Sequence, residues 1–185
     1  MQPIKDLKME HDAVQVTLRI LDKICQRIEM SGNEFDVRHM DQLLDFFRVF
    51  VDQCHHGKEE ELLFPALEAI GVSHKGGPIE VMMHEHQQGR EYVRTMADAV
   101  GQFIKGDWTA ADEFVKTARE YINLLNQHIY KENNVLFPLA EKHLSKEELS
   151  RLSEGFELIE TNKIGVGRHD EFHKMLDDLE KTYLT

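Results

Sequence analysis

Apolar residues recur along this chain at alternating steps of three and four, the spacing of one face of an α-helix. Ile4, Leu7, His11, Val14, Leu18, Leu21, Cys25 and Ile28 form the first stripe, which predicts a helix of about 26 residues and about 40 Å. Ser31-Gly32-Asn33 supplies a stop, and Asp36 is placed to cap a second helix. The inner face of that helix reads Met40, Leu44, Phe47, Val51, His55, Glu59 and Leu62. Pro65 is expected to end or kink it, and Gly71 with Gly76-Gly77-Pro78 to form a loop. The third stripe is Ile79, Met82, His86, Gly89, Val93, Met96, Val100 and Phe103, with Pro78 suited to its first turn. Gly106-Asp107 breaks it, and Asp107 or Thr109 can cap the fourth helix. There the stripe is Ala111, Phe114, Ala118, Tyr121, Leu125, His128, Glu132 and Val135, and Pro138 is expected to bend or stop it. From Ser145 onward the pattern gives a shorter helix, a Gly165-Val166-Gly167 break and a final helix carrying Phe172, Leu176 and Leu179. These stripes predict an all-α fold. They read as an antiparallel up-down-up-down four-helix bundle over residues 1–144, with a C-terminal helical extension over 145–185 packed on it.

The inner stripes are not apolar throughout. His11, His55, Glu59, His86, His128 and Glu132 all fall on positions that the spacing assigns to the interior. Buried imidazoles and carboxylates without partners are costly, so six of them need each other or a cation. His55 with Glu59 and His128 with Glu132 are i,i+4 pairs, which puts a nitrogen and an oxygen donor on one helix face. An internal repeat ties these residues together. His55, Glu59 and Phe64-Pro65 recur 73 positions later as His128, Glu132 and Phe137-Pro138, within KEEELLFPAL and KENNVLFPLA. His11, in Met9-Glu10-His11, returns 75 positions later as His86, in His84-Glu85-His86. Each half therefore offers two imidazoles and one carboxylate, the donors of a two-His-one-carboxylate set used twice. Mixed nitrogen and oxygen donors favour iron over calcium or magnesium, and no thiolate points to an iron–sulfur or structural zinc site. Manganese or a mixed pair stays open. Two inward carboxylates can each bridge two metals, with bridging oxide or hydroxide supplying further charge balance.

Composition narrows the rest. The 185 residues suit one domain, and 34 Asp+Glu against 22 Lys+Arg give a net charge of -12. Such a chain is repelled by nucleic acid and by anionic membranes, so neither is expected as a partner. Two cysteines, Cys25 and Cys54, make no disulfide framework. Charges at Lys5, Asp6, Lys8 and Glu10 leave no secretory apolar run, and no stretch has the length of a membrane span, so a cytoplasmic protein is expected. The 11 histidines are the compositional excess.

At these residues the sequence resembles the hemerythrin-like, or HHE cation-binding, family over about residues 4 to 143. The resemblance implies a non-haem di-iron centre near the middle of the bundle. Its metal ligands would be His11, His55, Glu59, His86, His128 and Glu132. It also implies binding of O2 or a related small ligand, nitric oxide or peroxide, for sensing, storage or scavenging. An oxidase, peroxidase or nitric-oxide-reducing enzyme on the same scaffold is the alternative, as is a role in iron homeostasis or iron-centre repair. Binding is favoured over dedicated turnover. Two departures stand out. Oxygen-carrying hemerythrins place two ligand histidines one turn apart on the third helix, where this chain has Arg90 after His86, and their last carboxylate is typically Asp rather than Glu132. The cysteine-bearing N-terminal segment of repair proteins is also not present in this sequence.

Other residues have plainer readings. His56 and His84 lie off the inner stripes and are expected to point elsewhere. His169 and His173 read as a packing or surface pair, with a lid or extra ligand as the functional option. His39, His74 and His143 read as surface residues, Tyr121 as core or as a hydrogen-bonding residue near the cavity, and Cys54 as a small buried hydrophobe. Gly89 either leaves room for a diatomic ligand or permits close helix packing.

Overall fold

A computed structural model describes residues 2–31, 36–165 and 167–185. The expected stop at Gly32-Asn33 and the centre of the Gly165-Val166-Gly167 break lie outside them. Every described element is a helix, and we number six. They are α1 (Gln2–Ser31), α2 (37–69), α3 (Pro78–Ile104), α4 (110–143), α5 (146–164) and α6 (Arg168–Tyr183). Asp36 caps α2 by accepting from the backbone N–H groups of Arg38 and His39. Pro78 occupies the first turn of α3. Before α4 it is Asp107 that acts, accepting from the N–H and hydroxyl of Thr109. Ser145 and Glu148 form a reciprocal capping box on α5. Gly165 and Gly167, with φ of 91° and 85°, turn the chain into α6 through backbone that favours glycine.

The long helices pack α1 on α4, α4 on α3 and α3 on α2. Contacts across each pair run in opposite senses along the two sequences. His11 meets Asn133 while Asp22 meets Arg119. His86 meets His128 while Gly89 lies beside Tyr121. Asp52 meets Arg90 while Phe64 stacks on His86. Helices α5 and α6 lie against α1 and α2.

Neither Pro65 nor Pro138 ends its helix. Each is preceded by a turn of the wider π type, Glu59–Leu63 and Glu132–Leu136, in which the N–H of Phe64 reaches the carbonyl of Glu59 and that of Phe137 reaches Glu132. A proline ring collides with the carbonyl one α-turn back and cannot donate, and a widened turn relieves the collision. The widening also moves the inner face by one residue. Leu63 and Leu136 are buried where the spacing predicted Leu62 and Val135, and Val135 is 47% exposed. Leu62 instead turns to α5, where a Cβ on Gly155 would lie 2.7 Å from its Cδ1.

Buried apolar side chains form two clusters. One holds Val14, Leu18, Phe47, Val51, Val93, Phe114, Tyr121 and Leu125, joined by Phe172, Leu176 and Leu179 of α6. The other holds Ile4, Leu7, Leu63, Phe64, Met82, Leu136 and Phe137, joined by Leu149, Leu152 and Phe156 of α5. Along every long helix the boundary between the clusters falls at the inner histidines and glutamates.

Candidate metal centre

All six sequence-predicted residues converge on this layer, none more than 2% exposed. The Nε2 atoms of His11 and His55 are 3.0 Å apart, and those of His86 and His128 are 3.1 Å apart. The pairs are those of the two sequence halves. The carboxylates span them. Glu59 places Oε1 3.6 Å from His55 Nε2 and Oε2 3.4 Å from His86 Nε2. Glu132 places Oε2 3.1 Å from His11 Nε2 and Oε1 3.3 Å from His128 Nε2.

Each imidazole turns its Nε2 inward because its Nδ1 is held from outside. His55 Nδ1 lies 2.7 Å from Glu10, His86 Nδ1 2.7 Å from Glu60, His128 Nδ1 3.0 Å from Glu85, and His11 Nδ1 3.0 Å from the Asn133 side-chain oxygen. Nδ1–H donation to these oxygens leaves Nε2 as a lone-pair donor. These four partners are the residues that the sequence reading missed. They follow the repeat: Glu10 and Glu85 precede His11 and His86, and Glu60 and Asn133 follow Glu59 and Glu132. A glutamate before the histidine in both halves was the available signal. Phe137 stacks on His11 and Phe64 on His86, with centroids 5.2 and 5.8 Å apart, so the repeated Phe-Pro units wall the layer.

Cations hold the outer carboxylates in turn. Glu10 accepts from Lys58, which is fully buried and also reaches Glu160 Oε1 of α5 at 2.5 Å. Glu85 accepts from Lys131, and Glu60 from Arg90. Burial pushes the Glu10 carboxyl up, but the His55 hydrogen bond and the His55 and Lys58 charges outweigh it and hold it at about 2.

The inner groups fit a metal. None of the four carboxylate oxygens of Glu59 and Glu132 has a hydrogen-bond partner, although all are buried. Orphaned buried carboxylate oxygens are strongly disfavoured. Burial, then the charge of Glu132, raises Glu59 well above the ordinary carboxylate range. Burial acts in the same direction on Glu132, but His128 and His11 outweigh it and hold the group low. Burial lowers His55 and His86, which keeps them neutral as ligands must be. The facing atoms form two overlapping donor groups, His11–His55–Glu59–Glu132 and His56–Glu59–His86–His128, within each of which the nearest donor atoms lie within 4.8 Å of one another.

The second group contains a residue expected elsewhere. His56 is 4% exposed and stacks on His86 with centroids 3.8 Å apart. His84 is exposed, as its place off the stripe predicts. His169 is half-buried against the Phe50 ring and beside His173, which is exposed. His74 and His143 are exposed, whereas His39 is half-buried and bonds the Tyr183 hydroxyl at 2.7 Å. Cys54 and Tyr121 are buried. Beside the centre, a cavity of about 270 Å³ is lined by Phe47, Val51, His56, Gly89, Arg90 and Tyr121, among others. A Cβ on Gly89 would meet Tyr121 at an ordinary 3.6 Å, so close packing does not require this glycine, and its missing side chain enlarges the cavity.

Comparison with known proteins gives relatives of differing similarity and coverage. An uncharacterized protein of Mycobacterium tuberculosis (strain ATCC 25618 / H37Rv) is 24% identical over 178 residues, which is 96% of this chain and 69% of that protein. The iron-sulfur cluster repair protein DnrN of Neisseria gonorrhoeae is 36% identical over 115 residues, 59% of this chain and 64% of its own length. The iron-sulfur cluster repair protein YtfE of Edwardsiella ictaluri (strain 93-146) is 33% identical over 126 residues, 63% of this chain and 54% of its own length. The chain thus spans less than two thirds of either repair protein. The family model described as Hemerythrin HHE cation binding domain matches residues 2–140, a span holding all four histidines and both glutamates of the inner layer. With its helices and its repeated His and His-x-x-x-Glu elements, the chain belongs to the hemerythrin HHE cation-binding domain family.

Proposed function

We propose that this is a non-haem di-iron protein that binds O2 or a related small ligand, nitric oxide or peroxide, for sensing, storage or scavenging. His11, His55, Glu59, His86, His128 and Glu132 would, in this reading, hold the two metals. In this reading α1 to α4 are an up-down-up-down four-helix bundle over residues 1–144, and residues 145–185 are an extension packed on it. The observation that carries the proposal is the set of four unpartnered carboxylate oxygens facing four inward Nε2 atoms in a buried layer. Bound iron would supply redox chemistry and an exchangeable coordination position. The chain supplies the rest. Glu10, Glu60 and Glu85, and the Asn133 amide oxygen, fix the imidazole orientation and raise ligand basicity. Phe64 and Phe137 exclude water on one side, and the cavity at Gly89 gives a small molecule a way in from the other. The net charge of -12 fits a cytoplasmic setting without nucleic-acid or anionic-membrane partners, and no helix among the described residues is long and apolar enough to cross a membrane.

Anaerobic loading with Fe(II), elemental analysis and then admission of O2 test this. About two irons per chain and a visible band that reverses on deoxygenation support binding. Retained zinc without iron chemistry overturns it. The names of the two repair-protein relatives favour a second reading, in which the chain supplies iron for repair of iron–sulfur clusters. Transfer of iron from the loaded protein to a damaged cluster, without a reversible O2 band, supports that one.

A further inference from the structure

His56 is left over by the six-residue set, yet its surroundings are those of a ligand. Its ring is 4% exposed, lies 15° from parallel to His86 and stands edge-on to His128 with centroids 5.7 Å apart. Its Nδ1 has no hydrogen-bond partner. The Asp52 carboxylate is 3.6 Å away, beyond hydrogen-bond reach, and is engaged by Arg90. One ring nitrogen of His56 lies within 4.8 Å of donor atoms of Glu59, His86 and His128, which are themselves that close together. That is the spread expected of atoms gathered round one cation.

We infer that His56 is a fifth imidazole ligand, serving the metal position of His86 and His128. The inference rests on the reading of this layer as a metal centre. It makes the centre unsymmetrical, with three imidazoles at one position and two, His11 and His55, at the other. The internal repeat supports the asymmetry. The residue 73 positions after His56 is Ile129, buried and apolar, so the first position has no counterpart. Helix α3 gives one imidazole only, because the residue a turn after His86 is Arg90, which is turned outward to Asp52 and Glu60. The neighbouring helix fills the place from the side. The wide-turn stretch Phe46–His56 puts His55 and His56, adjacent in sequence, both inside.

Substitution His56→Cys followed by anaerobic loading with Co(II) reads ligation directly. A near-ultraviolet thiolate-to-cobalt band is expected, absent from the wild type, which already contains Cys54. His56→Leu, which keeps the buried volume apolar, is expected to weaken one of the two metal positions by about tenfold or more in a competitive chelator titration. Two bound cobalts with no thiolate band, together with unchanged affinities in His56→Leu, overturn the assignment. His86→Ala separates the two levels of the argument. If it loses a metal while His56→Leu does not, only the fifth ligand fails; if it too retains both metals, the metal centre itself is misread.

Discussion

Replacing Lys58 with methionine tests whether the outer ion pairs hold the centre together. The ammonium is fully buried, bonds both Glu10 and Glu160, and lies 5.6 Å from the centroid of the Phe156 ring. Methionine keeps most of the stem and removes the charge. Glu10, 6% exposed, is then left with only the His55 N–H. Removing one partner of a buried pair destabilises by roughly 3–5 kcal/mol. Because Glu160 is 42% exposed and can rehydrate, we take the lower end, about 3 kcal/mol. In a chain of this length that lowers Tm by roughly 6–12 °C. The repeat supplies the control. Lys131 holds Glu85 in the other half, but its side chain is 35% exposed, and such pairs are worth about 1 kcal/mol or less. Urea unfolding of metal-free Lys58→Met and Lys131→Met should therefore differ by about 2 kcal/mol. Metal affinity should fall further in Lys58→Met, by about 10- to 100-fold at the position His55 serves, because Glu10, which orients His55, loses its own anchor. Equal destabilisation of the two variants would show that the buried Lys58 pair contributes no more than its exposed counterpart at Lys131.

Three more outcomes follow from the same geometry. Glu10 has a folded pKa of about 2 against an ordinary 4.5, so its stabilisation is complete above about pH 4.5 and is lost as pH falls towards 2. Urea titrations of the metal-free protein across that window should show a loss larger in wild type than in Glu10→Gln by up to roughly 3 kcal/mol. Burial pushes the Cys25 and Cys54 thiols up to about 12. Alkylation in the native state should therefore run about 10³-fold slower than in denaturant, and rapid native labelling of either would contradict the packing. Gly89→Ala meets only ordinary contacts and should raise stability by up to about 1 kcal/mol in thermal unfolding, while stopped-flow ligand binding slows as the cavity narrows.

The helices and the six inner residues were legible because burial imposes a periodicity, and a polar residue on a buried stripe stands out against it. His11 between Leu7 and Val14 is the plainest case. Legibility failed where the period changed. The step from Glu59 to the next core residue is four, not three, because the turn before Pro65 widens, and Glu132 with Leu136 repeats the shift. His56 was misplaced for a related reason, since an α-helical projection turns neighbouring residues 100° apart and the Phe46–His56 stretch is not α-helical. The outer partners were hidden because a half-buried glutamate such as Glu60 or Glu85 looks in sequence like any surface acid. Nothing in the C-terminal pattern disclosed that Glu160 would reach Lys58.

The prolines that follow the two wide turns have a consequence for metal exchange. A widened turn ahead of an ordinary residue can slide along its helix, because the next N–H can take either carbonyl. Pro65 and Pro138 have no N–H to offer, so each defect is pinned by a proline six residues beyond a glutamate of the inner layer. The backbone on which Glu59 and Glu132 stand is thus set by the covalent chain rather than by the cation. For the proposed centre, emptying and refilling the layer would then be a matter of side-chain motion and proton release within a standing frame, with uptake governed by access and by pH instead of by refolding of the helices.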